Sequence, residues 1–192
     1  MENLNTFISK DNTANPGPLG LCGFALATIL LNLHNAGLFG LDTAILALGL
    51  IFGGMVQLLV GLMEWRKNNM FGMIAFTSYG AFWITLVFLI ILPLKGLGVA
   101  PTAVAMGYFL TIWGVFSLGL FIATLKMNKS MMVLFGSVVL LFGLLALADF
   151  TGSHTIKTIA GIEGIICGSI ALYIAMAQLY IDVYKKPILP LP

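Results

Sequence analysis

The stretch MFGMIAFTSYGAFWITLVFLIILP, residues 70–93, decides the fold, because it runs for 24 residues without a charged side chain. A helix rises about 1.5 Å per residue, so a run of this length crosses a hydrocarbon core about 30 Å thick. Five further runs share its length and apolar character. Together they predict six membrane spans, at residues 17–36, 41–63, 70–93, 102–125, 131–149 and 158–182.

The composition agrees with a membrane protein. Charged residues make up 8% of the 192 residues, against roughly 25% in soluble domains. Backbone polar groups in lipid must be satisfied within their own segment, and the runs do not alternate as barrel strands do, so the spans are predicted to be helices. We expect an all-α integral membrane protein with one membrane domain at residues 15–184, and short tails at residues 1–14 and 185–192.

Several function classes are disfavoured by the same composition. A net charge of +2, scattered along the chain, does not indicate nucleic-acid binding. No nucleophile–base pair or metal-ligand set points to an enzyme, and no cofactor is expected. The lipid bilayer is the one partner that the composition itself requires.

Lysine and arginine predict the orientation, because cytoplasmic loops carry an excess of both. Six spans place both termini on the same side of the membrane, and that side holds seven basic residues against two on the other. Both termini are therefore predicted to be cytoplasmic. The seven are Lys10, Arg66, Lys67, Lys126, Lys129, Lys185 and Lys186, and the two are Lys95 and Lys157.

Glycines recur at helical spacing in several spans and predict a tight bundle. Helices in lipid gain little by hydrophobic association, so small residues that allow close backbone approach matter more. The sets are Gly17, Gly20 and Gly23; Gly49 and Gly53; Gly136 and Gly143; and Gly161, Gly164 and Gly168.

The segment NPGPLGLCGF, residues 15–24, marks the start of the first span. Asn15 is a favourable N-cap, and Pro16 suits the first helical position because its missing N–H costs nothing there. A helix N-terminus also favours an anion through its partial positive charge. From the residues alone, a simple cap and an anion site both remain open.

This segment resembles the signature of the acetate uptake transporter family, also called the GPR1/FUN34/YaaH or succinate–acetate permease family. Further stretches that are similar to bacterial members extend the resemblance over about residues 14 to 180. They are TILLNLHNAGLF (28–39), GLMEWRKNNMFGMIAFTSYGAFW (61–83), WGVFSLGLFIATLK (113–126) and GIICGSIALYIAMA (164–177). Gly17 departs from the family, which more often has Ala at that position.

The resemblance implies an architecture and a narrow pore. It implies a homohexamer of six-helix protomers, each with an hourglass pore like that of urea channels. The pore waist maps to Phe24, Tyr79 and Val138, of which Val138 replaces the usual Leu and makes the waist slightly wider. A position nearby that tunes pore size maps to Ala171.

Polar residues within the spans are candidates to line such a pore. Gln57 is an amide deep in the second span, where the alternatives are a helix–helix hydrogen bond and pore lining. Ser78 and Tyr79 belong to a polar island in an apolar helix, and Asn15, Pro16 and Thr28 are further candidates to line the pore. Glu64 shares a helical face with Gln57, and a surface ion pair is its default interpretation.

Glu163 is the most unusual of these residues, because bacterial members carry an uncharged residue at this position. The predicted span places it within the first two turns of the sixth helix, where the helix dipole favours its ionised form. One interpretation is an interfacial hydrogen-bonding residue. The other is a protonatable group that couples protons to cargo.

The sequence therefore predicts transport of acetate and related small monocarboxylates, with succinate as a further cargo that the resemblance implies. Proton symport and passive conduction both remain open, and so does a non-transporting structural or signalling protein. No discontinuous helix or inverted repeat is visible, which favours a channel-like pore over alternating access.

Overall fold

The structure is a computed structural model that describes residues 13–191, and every regular element among them is a helix. Within residues 13–191, six helices are long and apolar enough to cross a membrane, so the predicted all-α bundle of six spans is confirmed. Lys10 and most of the tail predicted for residues 1–14 lie outside the described residues. The helices are α1 (Gly17–Asn35), α2 (Thr43–Arg66), α3 (Met70–Leu94), α4 (Ala103–Thr124), α5 (Lys129–Thr151) and α6 (His154–Tyr184).

The predicted span limits agree with the helices to within three residues, except at the start of α6. That helix begins at His154, four residues before the predicted start at 158. Gly152 ends α5 in the left-handed conformation, with φ of 64°, and the Ser153 hydroxyl accepts the Ile156 N–H at 3.4 Å. A two-residue link therefore replaces the predicted loop, and Glu163 lies more than two turns into its helix rather than within the first two.

Part of α2 is wider than an α-helix. Residues Gly49–Val56 form a π-helical segment between two α-helical stretches, Thr43–Leu48 and Gln57–Arg66. The second span stays continuous, but its turn geometry changes immediately before Gln57. Segments of this kind are rare and are found often at functional sites.

Glycines bring α1 and α6 into backbone contact. A Cβ on Gly161 would collide with the backbone at Ala36, one on Gly164 would collide with the side chain of Asn32, and one on Gly168 would lie 2.9 Å from Ala25 O. The contacts move up one helix as they move down the other, so α1 and α6 are antiparallel. The glycine set predicted in the sixth span therefore packs as expected.

The glycine pair in α5 behaves differently. Gly143 is exposed, and a Cβ built on it would meet nothing within 4 Å. On Gly136 the nearest contact would be an edge of Phe121 at 3.3 Å. The prediction that this pair also mediates tight packing is wrong for the isolated chain, because Gly143 faces outward from the bundle.

The two glycine positions allow a matched test of helix packing. We expect Gly164→Leu to lower the melting temperature of the purified protein in detergent, because overpacking a tight contact costs about 1–3 kcal/mol. Gly143→Leu places the same side chain on an open surface and is expected to leave the melting temperature near that of the wild type. Equal effects of the two substitutions would contradict the packing described here.

Candidate functional site: a cavity ending at an aromatic neck

A cavity of about 200 Å³ lies among α1, α2, α3, α5 and α6. Its lining combines amides and one carboxylate with aromatic and aliphatic side chains. It includes the start of α1 and α3 and the end of α2 and α6, so it lies on the side of the membrane that holds the described chain ends. The lining residues are Asn15, Gly17, Leu21, Phe24, Gln57, Glu64, Asn69, Phe71, Gly72, Ala75, Phe76, Tyr79, Met127, Asn128, Met131, Leu134, Phe135, Val138 and Gln178.

The lining residues of this cavity form two layers at different depths, because α1, α2 and α3 each contribute two residues that are seven positions apart. The mouth layer contains Gly17, Glu64 and Gly72, and a Cβ on either glycine would approach the Glu64 side chain. The deeper layer contains the residues seven positions further into the membrane, Phe24, Gln57 and Tyr79. Seven residues of helix span about 10 Å, which is the distance along the helices between the two layers.

The deeper layer contains the predicted waist. Phe24, Tyr79 and Val138 are all buried, and all three line the cavity. The ring centroids of Phe24 and Tyr79 lie 5.9 Å apart, and Phe135 lies 6.3 Å from Tyr79. Bulky apolar groups thus meet at the inner end of the cavity, which we call the neck, defined by Phe24, Tyr79 and Val138.

Aromatic side chains continue beyond the neck. Phe82 contacts Trp113 at a centroid distance of 5.2 Å, Phe142 at 5.3 Å and Phe109 at 5.8 Å. These rings belong to α3, α4 and α5 and are buried or half-buried. Ring contacts among α3, α4 and α5 therefore fill the bundle immediately beyond the neck.

The Tyr79 hydroxyl is satisfied within the protein. It lies 2.9 Å from Ser117 Oγ, which itself donates to Trp113 O at 2.7 Å. Because the serine proton is used in that second bond, Tyr79 is the donor in the first. The neck therefore presents the Tyr79 ring to the cavity, while α4 holds the hydroxyl.

Gln57 is the deepest polar side chain of the cavity. It is fully buried, and neither its Nε2 nor its Oε1 has a hydrogen-bond partner among the described residues. Gln57 makes no helix–helix hydrogen bond among the described residues, although such a bond was one of the two predicted alternatives. It does line the cavity, which was the other. An unpaired buried amide costs about 1–3 kcal/mol, so its position favours a partner that enters from the cavity.

Glu64 contradicts its sequence-based interpretation as a surface ion pair. Its side chain is only 3% exposed, and Oε2 accepts a hydrogen bond from Asn69 Nδ2 at 2.7 Å. The start of α1 and the Gly72 turn of α3 cover it. Burial here depends on packing between helices, which the charge pattern of one segment does not reveal.

The start of α1 is a cap and not an anion site. Pro16 occupies the N-cap position without a side-chain cap, and Asn15 Oδ1 accepts the Gly17 N–H at 3.0 Å. Pro18 has no N–H, and the Leu19 N–H donates to Pro16 O at 3.0 Å. The predicted placement of Asn15 at the N-cap and Pro16 at the first helical position is therefore shifted by one residue, and the first turn has no spare donor for an anion.

Four predicted pore-lining residues do not line the cavity. Pro16 is buried at the start of α1, and Thr28 is buried one turn beyond Phe24 with its hydroxyl unpaired among the described residues. Ser78 is half-buried beside Tyr79, and Ala171 is fully buried in α6. Side chains next to each other in sequence point to different sides of a helix, so the polar island divides and Tyr79 alone reaches the cavity.

Glu163 also lies outside the cavity lining. Its Oε1 accepts a hydrogen bond from Ser137 Oγ at 2.5 Å, which joins α6 to α5, while its Oε2 is buried without a partner in the described part of the chain. This arrangement fits the hydrogen-bonding interpretation of Glu163, with a partner in the same chain. Its proton-linked role stays a prediction.

Sequence reasoning did not identify several residues of the cavity. Asn69, Asn128 and Gln178 line its mouth, where Asn69 and Asn128 also cap α3 and α5 by accepting the N–H groups of Gly72 and Met131. The sequence did contain a signal for Asn69 and Asn128, because each is a polar residue just before an apolar run. A residue that caps a helix on the termini side also lies at the mouth of the cavity.

Comparison with known proteins places the chain among membrane transporters. Residues 3–188 match the model of the GPR1/FUN34/yaaH family. A succinate-acetate/proton symporter of Escherichia coli strain K12 is 47% identical over 178 residues, which cover 93% of this chain and 95% of the relative. An ammonia transport outward protein of Saccharomyces cerevisiae is 36% identical over 85% of this chain and 61% of its own length.

A solved structure of a bacterial acetate channel has the same fold. It superimposes with a TM-score of 0.92 and 47% identity, and the match covers 94% of this chain and 99% of the other. The expectation of a transport protein and not an enzyme is confirmed by the functions named for these relatives.

Cysteine labelling can test the cavity and its sidedness. In a background with Cys22 and Cys167 replaced by alanine, we expect Ala75→Cys to react with a membrane-impermeant maleimide from the termini side only, because Ala75 lines the cavity. Ala160→Cys, which is also buried but does not line it, is the control and should stay unlabelled. Equal labelling of Ala75→Cys from both sides would contradict a cavity that ends at the neck.

Proposed function

Because the chain belongs to the GPR1/FUN34/yaaH family, we propose that it carries acetate and related small carboxylates, including succinate, across a cell membrane through the cavity of each protomer. The named activities of the relatives support the cargo class. The observation that carries the proposal is Gln57, a fully buried amide without a partner among the described residues, at the inner end of the cavity.

The geometry of the deeper layer suits a small carboxyl group. The Gln57 amide offers both a donor and an acceptor, which match the two oxygens of a carboxylic acid. The rings of Phe24 and Tyr79 lie in the same layer and provide an apolar surface for a methyl group. A volume of about 200 Å³ admits a two-carbon or four-carbon acid together with some water.

The chemistry of the lining favours passage of the neutral acid through the neck. No lysine, arginine or histidine is among the described residues that line the cavity. A bare carboxylate would therefore lose its hydration without a compensating cation, and this is very costly in a medium of low dielectric constant. Each carboxylate that crosses then carries one proton, which favours proton-coupled transport over passive conduction of the anion.

A non-transporting structural or signalling role does not explain the cavity. A protein that only packs helices has no use for a buried amide whose donor and acceptor both lack partners in the described chain, since an apolar residue there is more stable. Gln57, which lines the cavity whereas the unpaired Thr28 hydroxyl does not, therefore favours a ligand within the cavity.

The unit at residues 15–184 assembles as a homohexamer with one hourglass pore per protomer, embedded in the plasma or inner membrane with both termini in the cytoplasm. The six basic residues among the described ones on the termini side support this orientation. Apolar side chains on the outer face of α4 support contact with lipid or a neighbouring protomer; they are Val104, Tyr108, Ile112, Val115, Leu118 and Ile122.

Uptake of labelled acetate into proteoliposomes, corrected for protein-free vesicles, tests the function. We expect Gln57→Leu to lower this uptake by about tenfold, because the amide makes two hydrogen bonds with the neutral acid and each contributes about 0.5–1.5 kcal/mol. Thr28→Val is the matched control, since Thr28 is also buried and unpaired among the described residues but does not line the cavity.

The Thr28→Val protein should take up acetate at nearly the wild-type rate. An inward proton gradient should accelerate uptake by Thr28→Val and by the wild type. Equal uptake by Gln57→Leu and Thr28→Val would refute the role of Gln57. Wild-type vesicles that take up no more acetate than protein-free vesicles would refute the proposed function.

A further inference from the structure

The mouth layer of the cavity contains one buried carboxyl group. Glu64 is 3% exposed, and it is the only acidic residue among the described residues that line the cavity. It belongs to α2, where it lies two turns nearer the mouth than Gln57, at a separation of about 10 Å along the helix. A cargo molecule that moves between Gln57 and the water at the mouth must therefore pass Glu64.

This carboxyl group accepts a hydrogen bond from a side-chain amide and shares the space beside Gly17 with two amide oxygens. Asn69 Nδ2 donates to Oε2, while Oε1 lies on the side of Gly17. A Cβ at Gly17 would be 3.4 Å from Glu64 Oε1, 3.2 Å from Asn15 Oδ1 and 3.8 Å from Gln178 Oε1. Glycine has no side chain, so Oε1 keeps an open approach between the amide oxygens of α1 and α6.

Among the residues that the structure describes, few charged groups lie near Glu64. The helices that pack against it contribute amides at this level: Asn15 before α1, Asn69 before α3 and Gln178 in α6. At the end of its own helix Arg66 is exposed, and Lys67, whose Nζ donates to Thr13 O at 2.5 Å, is the cation whose charge acts on Glu64. The pair Asp182–Lys185, at 2.9 Å, is exposed on the outer groove beside α6.

An anion and an ionised Glu64 repel each other within this cavity. Two carboxyl groups at close quarters share a single proton more readily than they both ionise. A buried carboxylate on the route of a carboxylate cargo is therefore an obstacle unless it exchanges a proton with that cargo. The open side of Oε1 is where such an exchange can occur.

We propose that Glu64 exchanges a proton with the cargo in the mouth layer, and this inference rests on the proposed function. When cargo arrives from the neck as the neutral acid, its O–H bond breaks and a new O–H bond forms at Glu64 Oε1; the cargo leaves as the anion. Glu64 then releases the proton to water at the mouth. In the opposite direction, protonated Glu64 gives its proton to an incoming carboxylate, which crosses the neck as the acid.

Equilibrium exchange of labelled acetate tests this role, with equal pH and equal acetate on both sides of the vesicle. At pH values above the pKa of acetic acid, the concentration of the neutral acid in bulk water falls about tenfold for each pH unit. We expect Glu64→Gln to follow that fall, because its cargo has to be protonated in bulk water. The wild type is expected to decline less over the pH range in which Glu64 holds its proton, because Glu64 then protonates the cargo inside the cavity.

The decisive quantity is the exchange rate of the Glu64→Gln protein divided by that of the wild type at each pH. The Glu64→Gln protein should exchange acetate at close to the wild-type rate at about pH 5.5 and at least about tenfold more slowly at about pH 8. Normal exchange at low pH shows that the variant is folded. Glu163→Gln is the matched control, because Glu163 lies in a membrane helix but outside the cavity, and it should keep the wild-type profile.

Three results would overturn the inference: parallel pH profiles for Glu64→Gln and wild type, a loss by Glu64→Gln that is equal at every pH, or the pH-dependent loss in Glu163→Gln instead. Absence of exchange by the wild type would refute the proposed function and is distinct from all three.

Discussion

Close contact of α1 with its neighbours is the interaction on which the rest of the structure depends. Gly164 and Gly168 let α6 approach α1 from one side, and Gly23 lies against the α2 backbone at Phe52 O on the other. A larger residue at these points would push α1 away from the bundle. Phe24 and the Gly17 turn would then lose their places beside Tyr79 and Glu64, and both layers of the cavity would change.

One electrostatic constraint governs what can pass through this cavity. A carboxylate cannot cross a hydrocarbon core as an ion without cations or abundant hydrogen bonds, and the described lining offers amides and a carboxyl group but no cation. In the proposed mechanism, the deeper layer provides amide contacts with the acid beside an apolar neck, and the mouth layer provides proton exchange with water. Weak binding by amides is compatible with rapid release of the cargo.

Much of this arrangement could be predicted from the sequence. Long apolar runs determined the six spans, because few other structures satisfy the backbone in lipid. The placement of Phe24, Tyr79 and Val138 around one cavity agrees with the family resemblance, and the burial of Gln57 agrees with its depth in the span. The predicted span puts Glu163 too near the start of its helix, because the Ser153 cap extends α6 into a polar turn.

Other features depend on contacts between helices and leave no local signal. Glu64 lies beside Arg66 and Lys67 in sequence, yet α1 and α3 cover it. Thr28 and Ser78 have the polarity expected of a pore lining, but the rotation of α1 and α3 turns them away from the cavity. The apolar pattern does not predict the π-helical segment at Gly49–Val56 either, although its three glycines are visible in the sequence.

The most direct measurement of the central claim is an experimental structure of the protein with bromoacetate, whose bromine can be located by anomalous scattering. We expect the carboxyl group within hydrogen-bond distance of the Gln57 amide, with the bromine directed toward Phe24 and Tyr79. Bromoacetate bound only outside the cavity, or a neck whose side chains point away from the cavity into lipid, would contradict this mechanism.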